Sequence, residues 1–130
     1  MKKNLINLPE KSHTAWLEAL HTKNSLTSWI HLNVDIILFG TDDACKFVQE
    51  FLPEDRYTCL SIPCIHPEYN VPTYDCLFSK AANLSRSDIL IYANSDMMLF
   101  DDLLDAATTV SEKFPDFLMI GQRTDLLYPR

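Results

Sequence analysis

The chain has 130 residues, 47% apolar and 22% charged, which suits one soluble globular domain, residues 1–130, large enough to enclose a core. Eleven basic residues against eighteen acidic ones give a net charge of −7, a field that repels polyanions, and no basic stripe offsets it, so no nucleic-acid partner is expected. With two glycines and neither a GxGxxG nor a GxxxxGK(S/T) run, the sequence argues against a dinucleotide-type Rossmann domain and a P-loop NTPase.

At the amino end, Met1-Lys2-Lys3 has the charge of a signal n-region, but no apolar h-region follows. The longest apolar runs, about five residues, fall far short of a membrane span. The expectation is a cytoplasmic chain with no membrane span. Asn4–Leu8 (NLINL) reads as a short first strand ended by Pro9. His13–Leu32 reads as helix, broken near Lys23-Asn24-Ser25, with Trp16, Leu17, Leu20, Trp29 and Ile30 as apolar positions and the two tryptophans as core anchors.

Val34–Phe39 (VDIILF) is a second strand ended by Gly40. Thr41 then suits a helix N-cap, Asp42 and Asp43 fall in the first turn where the helix dipole favours acids, and Ala44, Phe47, Val48, Phe51 and Leu52 recur on one face. Pro53 stops that helix, and Tyr57–Ile62 (YTCLSI) is a third strand. Pro63–Pro72, with three prolines and Asn70, is a loop. Thr73 is placed to cap a helix striped by Tyr74, Leu77, Phe78, Ala81 and Ala82.

Ile89–Ala93 follows as an unalternating apolar run, the pattern of a strand covered on both faces, and Asn94-Ser95-Asp96 stand at its carboxyl end, where open α/β sheets bind ligands. Asp101 caps a further helix carrying Leu103, Ala106, Ala107 and Val110, and Phe117–Ile120 (FLMI) is a fifth strand closed by Gly121. Strand–helix alternation of this kind predicts a three-layer α/β/α sandwich with a mostly parallel sheet.

Cys45, Cys59, Cys64 and Cys76, without a secretory signal, read as free thiols rather than a disulfide framework. Cys59, Cys64, His66 and Cys76 are suitable zinc donors, but no CxxC knuckle is present and Cys59 falls in a strand-like run, so zinc is the lesser reading. The four histidines form no pair at metal or triad spacing.

The succession IILFGTDD (Ile36–Asp43), PTYDCLFSKA (Pro72–Ala81), DILIYANSDMML (Asp88–Leu99) and FLMIGQRTD (Phe117–Asp125) resembles the GT-A glycosyltransferases, the nucleotide-diphospho-sugar transferase superfamily. It is closer still to a bacterial and plant group carrying SW…IILFGD, FxKA, YxNADIIL and FLxxGxRxD segments, and Ser28-Trp29 fits the first of these. The resemblance covers roughly residues 24–125. It implies a shortened GT-A fold that binds a nucleotide-diphosphate sugar and passes the sugar to an acceptor.

In that family the DxD-type motif would fall on Asn94-Ser95-Asp96, with Asp96, helped by Asn94, holding Mg²⁺ or Mn²⁺ against the diphosphate. The chemistry suits such a role, because hard divalent cations take oxygen ligands and a metal neutralises charge on a departing diphosphate. Asn94 replaces one carboxylate of a full DxD by an amide, which weakens metal affinity. Asp42 and Asp43 match the acid that faces base or ribose, and equally serve as helix-start acids. Lys80, in the FxKA segment, is placed to approach a phosphate, although a solvated helix lysine is the plainer account; Arg123 has the same standing. The four segments stop short of the family's second half, so the alternative is a non-catalytic nucleotide-binding or interaction module. A nucleotidyltransferase would want a glycine- and basic-rich first loop, which Pro9-Glu10-Lys11-Ser12-His13 does not offer. Apolar surface left uncovered by a shortened sheet would favour a homo-oligomer.

Overall fold

The structure, a computed structural model, describes residues 13–125, with side chains from residue 19 onward. The expected strand Asn4–Leu8 and the side chains of Trp16 and Leu17 lie outside the described residues. Four α-helices and a two-stranded parallel sheet make a mixed α/β fold. The chain divides after Leu99 into two compact units.

In the first unit α1 (His13–Ile30) runs without interruption. The break expected at Lys23-Asn24-Ser25 does not occur, because Ser25 and Leu26 are fully enclosed and helix packing outweighs the modest helix propensity of Asn and Ser. The sheet is β1 (Ile36–Gly40) paired with β2 (Tyr57–Ser61), in register from Ile36 opposite Tyr57 to Gly40 opposite Ser61. Parallel neighbours need a crossover, and α2 (Asp42–Gln49) with a short 3-10 turn (Glu54–Arg56) supplies it. Along β1 the buried residues are Ile36, Leu38 and Gly40, alternating with half-buried Ile37 and Phe39.

The core gathers Leu26 and Trp29 of α1, Ile36 and Leu38 of β1, and Ala44, Val48 and Leu52 from α2 and its exit. Residues 44, 48 and 52 are spaced four apart and fall on one helix face, as their sequence spacing predicts. Thr41 caps α2 in earnest: its Oγ1 accepts from the Ala44 amide at 3.2 Å. α3 (Tyr74–Leu84) buries Leu77.

Three sequence expectations fail here for one reason. Ile89–Ala93 forms no strand; Ile91 is 43% exposed, and Ala93 alone of the run packs on the core. Residues 117–120 form none either, with Leu118 85% and Ile120 83% exposed. The expected five-stranded sheet is therefore two-stranded among the described residues. An apolar run becomes a strand only where a neighbour offers a ladder, and propensity alone does not supply one.

The second unit holds α4 (Asp101–Lys113), in which Asp101 is the first helical residue rather than the cap; Phe100 occupies the cap position and makes no side-chain cap bond. Thr73 likewise stands at the cap of α3 without a side-chain cap bond.

The thiols are not free. Cys45 of α2 is bonded to Cys59 of β2, Cα atoms 5.8 Å apart, and Cys64 is bonded to Cys76 of α3, Cα atoms 6.1 Å apart. Both pairings remove the thiolates that the zinc reading required. Each helix–strand or helix–loop approach brings two cysteines within cystine range, a proximity that sequence separation does not reveal.

Candidate functional site

Residues 94–99 are placed by α1. The indole of Trp29, itself 9% exposed, donates to the Met97 carbonyl at 2.8 Å, and Ser28 Oγ accepts from the Leu99 amide at 3.2 Å. Ser28 is oriented in turn by donating to the Ser25 carbonyl at 2.6 Å. Adjacent residues on one helix turn thus hold two backbone groups of a segment 68 and 71 positions away. Trp29 does serve as a core anchor, as expected, and it also fixes this segment.

Between these anchors and the preceding apolar run, the chain turns at Asn94–Met97, closed by the Met97 amide donating to the Asn94 carbonyl at 3.1 Å. Asn94 and Ser95 are half-buried and Asp96 is exposed. So the motif sits on a turn, not at the carboxyl end of an enclosed strand.

Asn94 is tied to an aromatic cluster. The Tyr92 hydroxyl donates to Asn94 Oδ1 at 3.4 Å. The Tyr92 ring meets Tyr74 edge-on, centroids 5.0 Å apart, and lies 6.2 Å from Phe78. Tyr74 and Phe78 share a face of α3, four residues apart. Partial burial, then the neighbouring Tyr74 and a hydrogen bond with it, push the Tyr92 phenol up to about 12.

Asp42 and Asp43 are exposed in the first turn of α2, immediately beyond the carboxyl end of β1. Lys80 is exposed on α3, and Arg123, in the second unit, pairs with Asp125 at 3.2 Å on the surface. Among the described residues no hydrogen bond or ion pair links Asp42, Asp43, Lys80 and Asp96 to one another. The structure therefore joins Asn94 to Tyr92 and, through its ring, to Tyr74, while Asp42, Asp43, Lys80 and Asp96 stand exposed.

The turn carries oxygen donors of the kind that a hard cation takes. Asp96 offers a water-facing carboxylate, and Asn94 Oδ1 keeps a second lone pair beside the one that Tyr92 occupies. Mg²⁺ commonly takes one or two protein oxygens and draws the rest from phosphate and water. Among the described residues no group of three His, Cys, Asp or Glu side chains is arranged to hold a metal by itself.

A second ordered feature adjoins α3. Residues 64–73 form a small loop closed by the Ile65–Pro72 bridge, with the His66 amide donating to the Val71 carbonyl and the Asn70 amide to the His66 carbonyl, both at 2.8 Å. Asn70 takes φ 50°, a left-handed conformation that asparagine tolerates in turns. His66 Nδ1 accepts from the Glu68 and Tyr69 amides, and its ring stacks on Tyr69 at 4.9 Å.

The positioning roles of Ser28, Trp29 and Tyr92 were not legible from spacing, because each acts across a long sequence interval or through a backbone atom. The only sequence trace was the Ser28-Trp29 pair in the resemblance. The chain matches no family model, no curated protein and no solved structure.

Proposed function

We propose that the unit ending at Leu99 binds a nucleotide-diphosphate sugar in the manner of the GT-A glycosyltransferases and serves transfer of the sugar to an acceptor. The observation that carries this reading is the anchored Asn94–Met97 turn, which presents Asn94, Ser95 and Asp96 from a backbone fixed at both Met97 and Leu99. Support also comes from the ordered four-segment resemblance and from acids placed directly after β1, where the βαβ unit opens toward solvent.

Asp96 and Asn94 would hold Mg²⁺ or Mn²⁺, and Asp42 and Asp43 would meet ribose or base. When bound, the cation supplies neutralisation of the leaving diphosphate. Tyr92, kept protonated, orients the Asn94 amide so that its oxygen rather than its nitrogen lies toward the Tyr92 donor. Ser28 and Trp29 hold the turn's backbone in place while ligand binds. The two cystines favour an oxidising compartment over a reducing cytosol.

Calorimetric titration with UDP- and GDP-sugars in the presence of Mn²⁺ tests this. Binding is expected, and Asp96→Ala should weaken it by about tenfold or more, the scale of losing one charged contact. No binding of either nucleotide sugar, or unchanged affinity in Asp96→Ala, overturns the reading. Binding without sugar turnover assigns the non-catalytic form of the same site.

A further inference from the structure

The two cystines stand in different surroundings. Cys59 packs from β2 against the core that holds Ala44 and Val48 of α2 and Leu38 of β1, so apolar burial backs its bond to Cys45. Neither Cys64 nor Cys76 touches that core. The loop they close has little apolar burial of its own: Pro72 is buried, whereas Ile65 is 50% and Tyr69 67% exposed. Its backbone is held by a few hydrogen bonds, and the one nearest the cystine, from the Thr73 amide to the Cys64 carbonyl, is long at 3.4 Å. A segment with few buried contacts opens locally at low cost once its cross-link is gone.

Cys76 lies in the first turn of α3, two residues after Tyr74. Tyr74 meets Tyr92 edge-on, and Tyr92 donates to Asn94. The first turn of α3 thus carries both the cystine and the ring that leads through Tyr92 to the candidate site.

We propose that Cys64–Cys76 is a thiol-exchangeable clasp, opened before Cys45–Cys59, whose opening frees the 64–73 loop and loosens the Tyr74–Tyr92–Asn94 chain. The reductant is a dithiol, small or protein-borne. One of its thiolates attacks a sulfur of the cystine, forming a mixed disulfide and expelling the other cysteine as a thiolate. The second thiolate of the reductant then resolves the mixed disulfide. The protein gains two electrons and two protons and ends with two thiols, and the reductant leaves as its own disulfide. All four cysteines are half-buried, so what separates the two pairs is the packing that remains once each bond opens: the core behind Cys59, and little behind the 64–73 loop.

The decisive experiment is graded reduction of the wild-type chain with dithiothreitol. Free thiols are alkylated, the remaining cystines are then reduced and given a second label, and peptides are read by mass spectrometry. At intermediate reductant, Cys64 and Cys76 should carry the first label several times more often than Cys45 and Cys59, and Glu-C cleavage after Glu68 should rise in parallel. Simultaneous opening of both pairs, all four cysteines free in protein purified without reductant, or unchanged cleavage after Glu68 would each overturn the clasp. A Cys64→Ser/Cys76→Ser chain should show the faster cleavage without reductant, and Cys45→Ser/Cys59→Ser should not show it selectively at Glu68. The wild-type labelling stands by itself if a variant misfolds.

The effect on the Asn94 site rests on the function proposed above, and the two fail separately. Nucleotide-sugar binding in neither redox form removes that function and leaves the clasp. Equal binding in the oxidised and the selectively reduced forms removes the coupling and leaves the function.

Discussion

Thr41 and Thr73 occupy the same position, each just ahead of a helix, and use their hydroxyls in opposite senses. Thr41 accepts from the Ala44 amide and satisfies an orphan donor of α2. Thr73 instead donates to Asp75, whose carboxyl is held below its ordinary value of 3.8 first by that bond and then by the Cys76 amide. Thr41→Ala is expected to cost about 1 kcal/mol, read as a lower urea midpoint with an unchanged slope. For Asp75 the folded-state value is depressed, so its contribution to stability is present above 3.8 and disappears as pH falls through the folded value. Thr73→Ala should move the Asp75 carboxyl midpoint upward in an NMR titration, and a midpoint that stays put would remove the hydroxyl as its main cause. Tyr92 has the converse sign. Its folded value is raised from 10 to about 12, so the stabilisation is whole below pH 10 and is lost as pH climbs through 12. Ultraviolet titration should show the Tyr92 phenol ionising late, and Tyr74→Phe should bring it earlier.

At the level of elements, the sequence was most readable where several local signals agree. β1 and β2 follow from apolar runs with clear ends, and α2 between them from a threonine cap, acids in the first turn and a four-residue apolar spacing that all point the same way. Ile89–Ala93 gave only hydrophobicity. An unalternating run is compatible with an enclosed strand and equally with a ladderless segment, and which of the two it becomes depends on a neighbouring strand that the run itself does not encode. The candidate motif was expected at a strand end, and its residues lie on a turn. Trp29→Phe keeps most of the packing and deletes the donor, leaving the Met97 carbonyl unpaired in a half-buried place. The expected loss is about 1–3 kcal/mol. Ser28→Ala should quicken hydrogen exchange at the Leu99 amide selectively; uniform protection in that variant would mean the contact does not restrain the turn.

For the whole chain, the cystines change the balance most. They join residues 14 and 12 positions apart, and each cross-link of that size stabilises by about 3 kcal/mol through restriction of the unfolded ensemble. Complete reduction should accordingly lower the unfolding midpoint far more than any single substitution named above, measured by urea denaturation with and without reductant. Their pairing was not legible, because four cysteines allow three connectivities and sequence carries no distances.

The grip of α1 on the Asn94–Met97 turn goes to main-chain atoms of Met97 and Leu99, not to their side chains. The two hydrogen bonds thus tolerate any side chain at those positions, while the tryptophan and serine that make them are not replaceable. Diversity at Met97 would leave both hydrogen bonds intact, Leu99 adds its packing on the core, and a single change in a distant helix would let the loop drift. A screen for lost ligand capture should return hits at 28 and 29 as readily as at 96.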